Sequence, residues 1–590
     1  MNNELVYKVI GNNNFQSEND IFNEILINRK VNPDVFNVTE DDLPHWKEFR
    51  NMGRVCGRIE THLKKGSKII IILDSDPDGV TSACPLYLYL IRLFPDADIE
   101  IVFHEKRTHG ILLGELNGKL KDTDLIITPD SGSDNYYEHK ILKQRFGIDV
   151  VCIDHHPVKR YSVNAIVTNN NIDKKCTALS GAGMVYILMR AFDERYKVDY
   201  ADDYIDLVAI GIIADMMPIN NKYIQYIIQK GLNNIKNKAV LAIIEAQSFN
   251  LGSMITPTAV SFNISPLINS VFRMGTIKEK ENLVRAFCEK DNGEVFIYIP
   301  SRGKNKGASI KETLYQKTAR ELISLNEKRK RQGKKCLKEA MFKKEGNILF
   351  VEIKSEYGEK GLSRIACNGM AREHMKPAIV FYKGKSGSYG GSMTSGDTIS
   401  SFRDKLRKTG VFTFVAGHQD ASGFALKRGM NKKGKTILEE YFKNEKIEKR
   451  TVVDFSLDLN EAIEFHEQLI EQVVENELYY GKRVEAPKVH LRKIKIPVKD
   501  VKLAGESTIK IKICKKFSLV LFKQSKEIYE EMVGWKEFIE IDVIGSVGVN
   551  IYRGRNYQMI VNEIYLYKNE NINSDDQNES KEDFGLDDEW

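Results

Sequence analysis

Cysteine is scarce in this sequence: there are eight in 590 residues, and no two of them form a Cys-x-x-Cys pair. We therefore expect neither a disulfide framework nor a thiolate zinc site. The chain also lacks any apolar run of the roughly 20 residues that a membrane helix needs. Its first residues lack the basic start and apolar core of a signal peptide. We therefore expect a cytoplasmic protein with free thiols and no membrane segment.

What the chain has in quantity is length and charge. At roughly 100–200 residues per domain, 590 residues predict about three domains. The hydrophobic content of 42% and the charged content of 29% are typical of globular proteins. The net charge of +6 is uneven, because the segment 327–344 is strongly basic and the residues after 568 are strongly acidic. The rest of the chain is thus more positive than the whole, which favours a polyanionic partner.

Apolar and helical segments alternate from about residue 67 onwards. Strands that are apolar along their whole length and are joined by helices are typical of a parallel sheet covered on both faces. We therefore predict an α/β domain with helices following in 178–196 and 202–217. The predicted strands are 68–74, 99–104, 124–129, 149–153 and 165–168.

Three further regions follow this domain. Residues 305–342 form a long, charged, helix-prone run interrupted by Gly333, which is either a solvated helix or a basic connector beside nucleic acid. Residues 346–445 show a second α/β pattern. Residues 485–567 contain short strands whose spacing predicts a small barrel or sandwich.

Acidic and histidine residues stand at the ends of successive predicted elements. In a parallel sheet the strand C-termini share one edge, where ligands bind. One aspartate at a strand end is usually a turn or capping residue, so the inference depends on four groups occurring together. Converging carboxylates repel one another unless cations compensate, and the ligand set suits two Mn²⁺ or Mg²⁺ ions. The four groups are Asp74 with Asp76 and Asp78, Asp130, Asp154 with His155 and His156, and Asp215.

These motifs resemble those of the DHH phosphoesterase superfamily. The stretch "DSDPDG" (74–79) is similar to its first motif, Asp130-Ser131-Gly132 to its second, Asp154-His155-His156 to its third, and "GIIAD" ending at Asp215 to its fourth. Within the superfamily the chain most resembles the RecJ family of single-strand-specific 5′-to-3′ exonucleases. The segments 103–113, 264–275, 361–381 and 414–426 are similar to further signatures of that family.

The resemblance implies roles for the metal-site residues. Asp76 and Asp78 would ligate metal, with Asp74 as a ligand or a supporting partner, and Asp130 would bridge two ions of Mn²⁺ or Mg²⁺. His155 and Asp215 would hold the second ion, and Asp154 would orient His155. His156 would face the scissile phosphate.

The resemblance also implies substrate-binding residues. His418 would reach the phosphate or the leaving group from a second domain, and Arg273 would neutralise phosphate charge. The glycine-rich turn of that domain reads "SYGGSMTSG" and has no arginine where family members often carry one. Arg364, Lys383 or Lys385 would then supply the missing positive charge. The further substrate contacts implied are Arg107, Asn269 and Gly417.

The implied architecture is α/β, with a parallel-sheet DHH domain joined by a long helix to a smaller α/β DHHA1 domain and to a C-terminal β-rich, OB-like domain. The expected regions are an N-terminal extension packing on the core (1–60), the DHH domain (61–304), the connector helix (305–345), the DHHA1 domain (346–450), the OB-like domain (451–568) and an acidic disordered tail (569–590).

Three functions remain open at this point. The first is a two-metal exonuclease that acts on single-stranded DNA in recombination or repair and releases mononucleotides from the 5′ end. The second is an oligoribonuclease or cyclic-dinucleotide phosphodiesterase of the same superfamily. The third is a non-catalytic single-strand-binding scaffold. We expect a monomer whose partners are single-stranded DNA and a single-strand-binding protein or another replication or repair protein.

Overall fold

The computed structural model describes residues 7–11, 21–116, 118–248, 251, 254–301, 306–342, 346–359, 361–385, 387–396, 398–417, 419–445, 447, 451–505, 507–522, 526–534, 537–550 and 554–567. The chain forms two compact units. The larger unit contains residues 6–452 and 472–487, and the smaller one contains 453–471 and the residues from 488 onwards.

The larger unit begins with short elements that lead into the main sheet. Phe22 and Phe36 pack edge to face with ring centroids 5.4 Å apart, and Phe36 lies 5.0 Å from the ring of Tyr479. Asn51 donates a hydrogen bond to the carbonyl of Val167. The elements are strand β1 (Tyr7–Val9), helices α1 (Ile21–Asn28) and α2 (Met52–Lys64), and single 3₁₀ turns at Pro33–Phe36, Glu40–Asp42 and Trp46–Glu48.

A five-stranded parallel sheet forms the centre of the larger unit. Its strand order is β3-β2-β4-β5-β6, and every pairing is parallel. All five residues of β2 are buried, as expected for a strand covered on both faces. The prediction of a parallel α/β domain is therefore confirmed. The strands are β2 (Ile69–Leu73), β3 (Ile99–Phe103), β4 (Leu125–Pro129), β5 (Asp149–Asp154) and β6 (Ile166–Asn169).

Helices cover the sheet and extend the larger unit. Helix α4 continues as a π-helical turn at Leu142–Phe146, and α10 continues as another at Val260–Ile264. The helices are α3 (Pro77–Leu93), α4 (Tyr136–Ile141), α5 (Asn170–Asp173), α6 (Gly181–Tyr196), α7 (Ile205–Ala214), α8 (Lys222–Asn233), α9 (Lys238–Ala246), α10 (Pro257–Ala259), α11 (Ser265–Met274) and α12 (Ile277–Phe287).

A hairpin of β7 (Phe296–Tyr298) and β8 (Ile310–Glu312) leads into the connector helix α13 (Leu314–Lys338). The helix is continuous through Gly333, so the expected interruption at this residue is wrong. A Cβ atom on Gly333 would lie 2.7 Å from Cγ2 of Ile365. Gly333 is thus a point of close helix contact, and the lost helix propensity of about 1 kcal/mol is tolerated there.

The second α/β region is a six-stranded mixed sheet with the order β13-β14-β12-β11-β10-β9. Only the β10–β11 pair is parallel among the described pairings of this sheet. The elements are β9 (Met341–Phe342), β10 (Leu349–Glu352), α14 (Ser355–Glu359), α15 (Ser363–His374), β11 (Ala378–Lys383), β12 (Tyr389–Thr394), α16 (Phe402–Lys408), β13 (Phe412–Gly417), β14 (Ala421–Leu426), α17 (Met430–Tyr441) and β15 (Thr451–Val453).

The smaller unit is built around a seven-stranded sheet with the order β16-β17-β21-β22-β20-β19-β18. Its β-rich character is confirmed, whereas the OB-like topology stays a prediction, and the tail 569–590 lies outside the described residues. Within the described part of the chain, no helix is long and apolar enough to cross a membrane. The elements are β16 (Phe455–Leu457), α18 (Leu459–Glu475, whose last turn lies in the larger unit), β17 (Val489–Pro497), β18 (Val501–Ala504), β19 (Thr508–Lys512), β20 (Phe517–Phe522), α19 (Lys526–Val533), β21 (Phe538–Asn550) and β22 (Asn556–Leu566).

Candidate metal centre

The predicted acidic groups converge at the carboxyl edge of the parallel sheet. Three of them follow β2, β4 and β5, and the fourth follows α7. Three overlapping sets of side chains each place their ligand atoms within 4.8 Å of one another. The sets are Asp74 with Asp76 and Asp130, Asp78 with His155 and Asp215, and Asp130 with His155 and His156.

Asp130 and His155 occupy the middle of this cluster. Nε2 of His155 lies 3.2 Å from Oδ1 of Asp130, 3.7 Å from Oδ2 of Asp215 and 3.8 Å from Oδ2 of Asp78. Both Asp130 and His155 are buried, and these two facing atoms make no hydrogen bond within the described part of the chain. Buried polar atoms are rarely left without a partner, so the pair fits a divalent cation that both atoms would ligate.

The raised pKa values of the clustered aspartates also indicate a cation site. Burial, followed by the charges of the neighbouring aspartates, raises the pKa of Asp76 to about 6. The same two causes raise the pKa of Asp130 and of Asp215 well above the usual range. Burial lowers the pKa of His155, which favours the neutral imidazole that binds metal. A divalent cation would remove the repulsion between the acids.

Local backbone structure fixes the acids in place. Asp76 caps helix α3, with Oδ1 accepting a hydrogen bond of 3.0 Å from the N–H of Gly79. Asp78 accepts hydrogen bonds from the hydroxyl of Ser180 and the N–H of Gly181, both at 2.8 Å, at the start of α6. Asp130 itself has a left-handed backbone with φ of 60°. Asp76 and Asp78 are therefore both helix-terminal residues and candidate ligands.

Two glycines let helices approach these carboxylates closely. A Cβ atom on Gly181 would overlap Oδ1 of Asp130. A Cβ atom on Gly211 would lie 2.6 Å from Oδ1 of Asp78 and would overlap Oγ1 of Thr81. Any larger residue at either position would displace a candidate metal ligand.

Asp154 accepts hydrogen bonds from both histidines of the third motif. Its Oδ1 accepts hydrogen bonds from the backbone N–H of His155 (2.7 Å) and from Nδ1 of His156 (2.9 Å). Its Oδ2 accepts one from the N–H of Ser133. Asp154 therefore contacts the backbone of His155 and the ring of His156, and the expectation that it orients His155 stays a prediction. Although burial opposes it, the hydrogen bond with Asp154 and the charges of Asp154, Asp215 and Asp74 raise the pKa of His156 to about 9.

His109 is a site residue that the sequence did not reveal. Its Nδ1 lies 2.9 Å from Oδ2 of Asp74, and its ring meets that of His156 edge to face at a centroid distance of 4.5 Å. Burial lowers the pKa of His109, but the hydrogen bond to Asp74 and the charges of Asp74 and Asp154 together outweigh it, and the pKa is raised. Its place two residues after Arg107 is the one hint that the sequence offers.

Four arginines form a cluster beside the acids, which we call the arginine cluster: Arg107, Arg273, Arg329 and Arg364. Burial, with repulsion from the other three guanidinium groups, lowers the pKa of Arg273 to about 9. The Nε atoms of Arg273 and Arg329 are buried and make no hydrogen bond with the described residues. Like charges packed together in this way suit an anion, and guanidinium groups bind phosphate in a forked geometry.

The arginine cluster joins the DHH region to the second α/β region. A Cβ atom on Gly361, just before α15, would lie 3.2 Å from Nη1 of Arg273. Arg364 on α15 contributes to the charge around Arg273, and its role as a replacement for the missing arginine of the glycine-rich turn stays a prediction. Arg329, on α13, was not singled out, because its basic run contains several equivalent residues and only the fold distinguishes them.

The remaining predicted contacts have mixed outcomes. Asn269 lies one helical turn before Arg273 on α11. Gly417 ends β13 with a left-handed φ of 125°, and its carbonyl accepts a hydrogen bond of 2.7 Å from Arg403. His418 lies outside the described residues. Lys383 and Lys385 are exposed, and Lys383 lines a cavity of about 720 Å³ in the second α/β region.

Comparison with known proteins gives consistent matches. The DHH family, N-terminal domain, matches residues 68–212. The putative SPbeta prophage-derived single-strand DNA-specific exonuclease YorK of Bacillus subtilis (strain 168) is 30% identical over 580 residues, which cover 95% of this chain and 97% of that protein. The single-stranded-DNA-specific exonuclease RecJ of Thermus thermophilus is 24% identical over 398 residues, covering 67% of this chain and 54% of that protein.

A solved structure shares the fold. The crystal structure of RecJ from Thermus thermophilus in complex with Mn²⁺ matches with a TM-score of 0.69 and 20% identity, covering 93% of this chain and 78% of that one. The likeness extends through the sheet that carries the acids and the regions that follow it.

Proposed function

The chain belongs to the RecJ-like branch of the DHH family, and on that basis we propose that it is a metal-dependent exonuclease that releases mononucleotides from the 5′ end of single-stranded DNA. The observation that carries the proposal is the pair of facing buried atoms, Oδ1 of Asp130 and Nε2 of His155, within a cluster of acids. The 5′-to-3′ polarity and the role in recombination or repair come from the family resemblance.

The acids divide naturally between two Mn²⁺ or Mg²⁺ ions. Asp74 and Asp76 would hold one ion, Asp78, His155 and Asp215 the other, and Asp130 would bridge them. When bound, such a pair of ions activates a water molecule near neutral pH and stabilises the charge of a phosphodiester under attack. The named relative of known structure was crystallised with Mn²⁺, which supports this choice of metal.

The chain's own residues position the substrate. The arginine cluster would bind the terminal phosphate, because an anion there would offset the repulsion between Arg273 and the other three guanidinium groups. His156, whose ring is held by Asp154, would donate a hydrogen bond to the scissile phosphate or to the leaving oxygen. His109 would fix the positions of the Asp74 carboxylate and the His156 ring relative to one another, because it contacts both.

A terminal phosphate site beside the metal acids favours an exonuclease over an enzyme that cuts within a strand. The acids Asp74, Asp130 and Asp215 are all present, which disfavours a scaffold that has lost its ligands. The near full-length match to a single-strand DNA-specific exonuclease disfavours the short-oligonucleotide enzymes. A monomeric state, a single-strand-binding protein as partner and a cytoplasmic location stay predictions.

The test uses single-stranded DNA labelled at either end, incubated with the full chain and Mn²⁺, Mg²⁺ or EDTA. We expect mononucleotides from the 5′ end with metal and none with EDTA. Asp130→Asn should lose at least about a thousandfold in rate, whereas Asp98→Asn, at an exposed aspartate, should match the wild type. Cleavage of only short RNA would favour the second function, and binding without cleavage under every metal the third.

A further inference from the structure

Three tyrosines and an arginine form an exposed surface beside the metal centre, which we call the tyrosine platform: Tyr136, Tyr137, Arg160 and Tyr161. The guanidinium carbon of Arg160 lies 3.6 Å from the ring centroid of Tyr136, and the ring of Tyr137 meets that of Tyr136 edge to face at 5.5 Å. Tyr137 and Tyr161 are 68% and 63% exposed. Both rings therefore leave most of their surface open to a stacking partner.

The tyrosine platform is attached directly to the loops that carry the metal ligands. Arg160 follows His156 by four residues, and Tyr136 follows Asp130 by six. Oδ1 of Asp134 accepts hydrogen bonds from the backbone N–H groups of both Lys159 and Arg160, at 2.9 and 3.1 Å. These bonds tie the two loops together and hold the aromatic rings at the rim of the metal centre.

A cavity of about 450 Å³ adjoins the platform. Tyr161 lines it together with Arg50 and Arg54. Ser133 and Asn169 also line it, and Asn169 donates hydrogen bonds to the hydroxyl of Ser133 and to the carbonyl of His156. The cavity therefore lies one layer of side chains away from the third motif, and its volume falls within the range of small-ligand sites.

The sheet order separates Arg107 of the arginine cluster from the tyrosine platform. Arg107 follows the edge strand β3, and its charge acts on Asp76 after β2. The platform follows β4 and β5, next to the other edge strand β6. Consider a DNA strand whose terminal phosphate is bound by the arginine cluster and whose next phosphate lies at the acids. The rest of that DNA strand would continue towards the tyrosine platform.

We propose that the tyrosine platform and its cavity bind the part of the single strand that lies beyond the scissile phosphate. The proposal rests on the proposed exonuclease function and names the residues that hold the uncut strand. Bases would stack on Tyr137 and Tyr161, while Arg50, Arg54 and Arg160 would lie against the phosphates. Stacking on an aromatic ring is tolerant of sequence, as an enzyme that digests a strand nucleotide by nucleotide requires.

The experiment measures kcat/KM for 5′-phosphorylated DNA strands of two to twelve nucleotides. For the wild type we expect kcat/KM to rise with length. The variant Tyr137→Ala with Tyr161→Ala should lose about tenfold on the longest strand and little on the dinucleotide. Tyr441→Ala, at an exposed tyrosine of α17, is the matched control and should follow the wild type. An unchanged length dependence in the double variant would overturn the proposal, as would an equal loss at every length.

A binding measurement separates this proposal from the proposed function. A strand with 2-aminopurine at its third nucleotide should lose fluorescence on binding the wild-type protein in EDTA, and should keep it with the double variant. If the 2-aminopurine fluorescence falls equally with both proteins, the proposal that the tyrosine platform binds the strand is wrong, even if the wild type cleaves DNA. If the wild type cleaves no substrate but quenching depends on the tyrosines, the exonuclease proposal fails while strand binding by the platform stands.

Discussion

Replacing Asp76 by asparagine should make the metal-free protein more stable at pH 8. The side chain keeps an acceptor oxygen for the N–H of Gly79 at the start of α3, so the helix cap is preserved. What is lost is one negative charge from a buried group of aspartates. The substitution therefore separates the repulsion between the acids from the helix structure around them.

The magnitude follows from the pKa of Asp76, which burial and then the charges of Asp74 and Asp78 raise from 3.8 to about 6. One pKa unit corresponds to about 1.4 kcal/mol, so ionising Asp76 destabilises the folded state by about 3 kcal/mol. Because the pKa is raised on folding, this loss is absent below pH 3.8, grows as the pH rises, and is complete above about pH 6. At an unfolding entropy of about 2.1 cal/mol/K per residue, about 3 kcal/mol shifts the Tm of the larger unit, which spans residues 6–452 and 472–487, by about 3 °C.

The assay is thermal unfolding in EDTA at pH 4 and pH 8, repeated with Mn²⁺. In EDTA at pH 8, Asp76→Asn should unfold at a higher temperature than the wild type, and at pH 4 the two should nearly coincide. Mn²⁺ should stabilise the wild type more than the variant, since the variant has lost a ligand. The reasoning would be refuted if the variant unfolded at a lower temperature than the wild type in EDTA at pH 8. It would also be refuted if Mn²⁺ raised the unfolding temperature of the variant as much as that of the wild type. Asp98→Asn is the control and should change neither value.

Two further predictions concern other parts of the chain. Gly211→Ala should lower metal-dependent activity and destabilise the protein by about 1–3 kcal/mol, because the added Cβ would lie 2.6 Å from Oδ1 of Asp78. Thermal unfolding and a metal titration measure these two effects. The control is Gly57→Ala, where the added Cβ has no atom within 4 Å. Cys514, whose Sγ lies 3.8 Å from Nε2 of His466, has a lowered pKa because burial, which raises it, is outweighed by the hydrogen bond and charge of His466 together with backbone hydrogen bonds from Lys516 and Phe517. Iodoacetamide should therefore alkylate it fastest among the described cysteines, and His466→Asn should slow the reaction at neutral pH, as read by peptide mass spectrometry; equal rates in both proteins would contradict this.

The sequence predicted the main sheet well because most residues of its strands are apolar, and β2 is apolar along its whole length. The predicted strand 68–74 differs from β2 (Ile69–Leu73) by one residue at each end. The metal acids followed from the same reasoning, since parallel strands bring their carboxyl ends to one edge. A local pattern and one topological rule were sufficient for these features.

Other features depend on contacts between distant segments and left no local pattern. His109 becomes a site residue only because the loop after β3 folds back onto Asp74. Arg329 is one of several equivalent basic residues until α13 is placed beside Arg273. Gly333 reads as a helix breaker in isolation, yet its missing side chain allows α13 to pack on Ile365. In each case the deciding neighbour is far away in the sequence.

The candidate ligands come from four segments spread between positions 74 and 215, and Asp215 is contributed by the last of them. A ribosome that is still synthesising this region has therefore made a chain with an incomplete set of acids. Such a nascent chain would have no means of degrading DNA, and neither would a fragment ending before α7. The set of candidate ligands would be complete only when the final segment folds against the three that precede it.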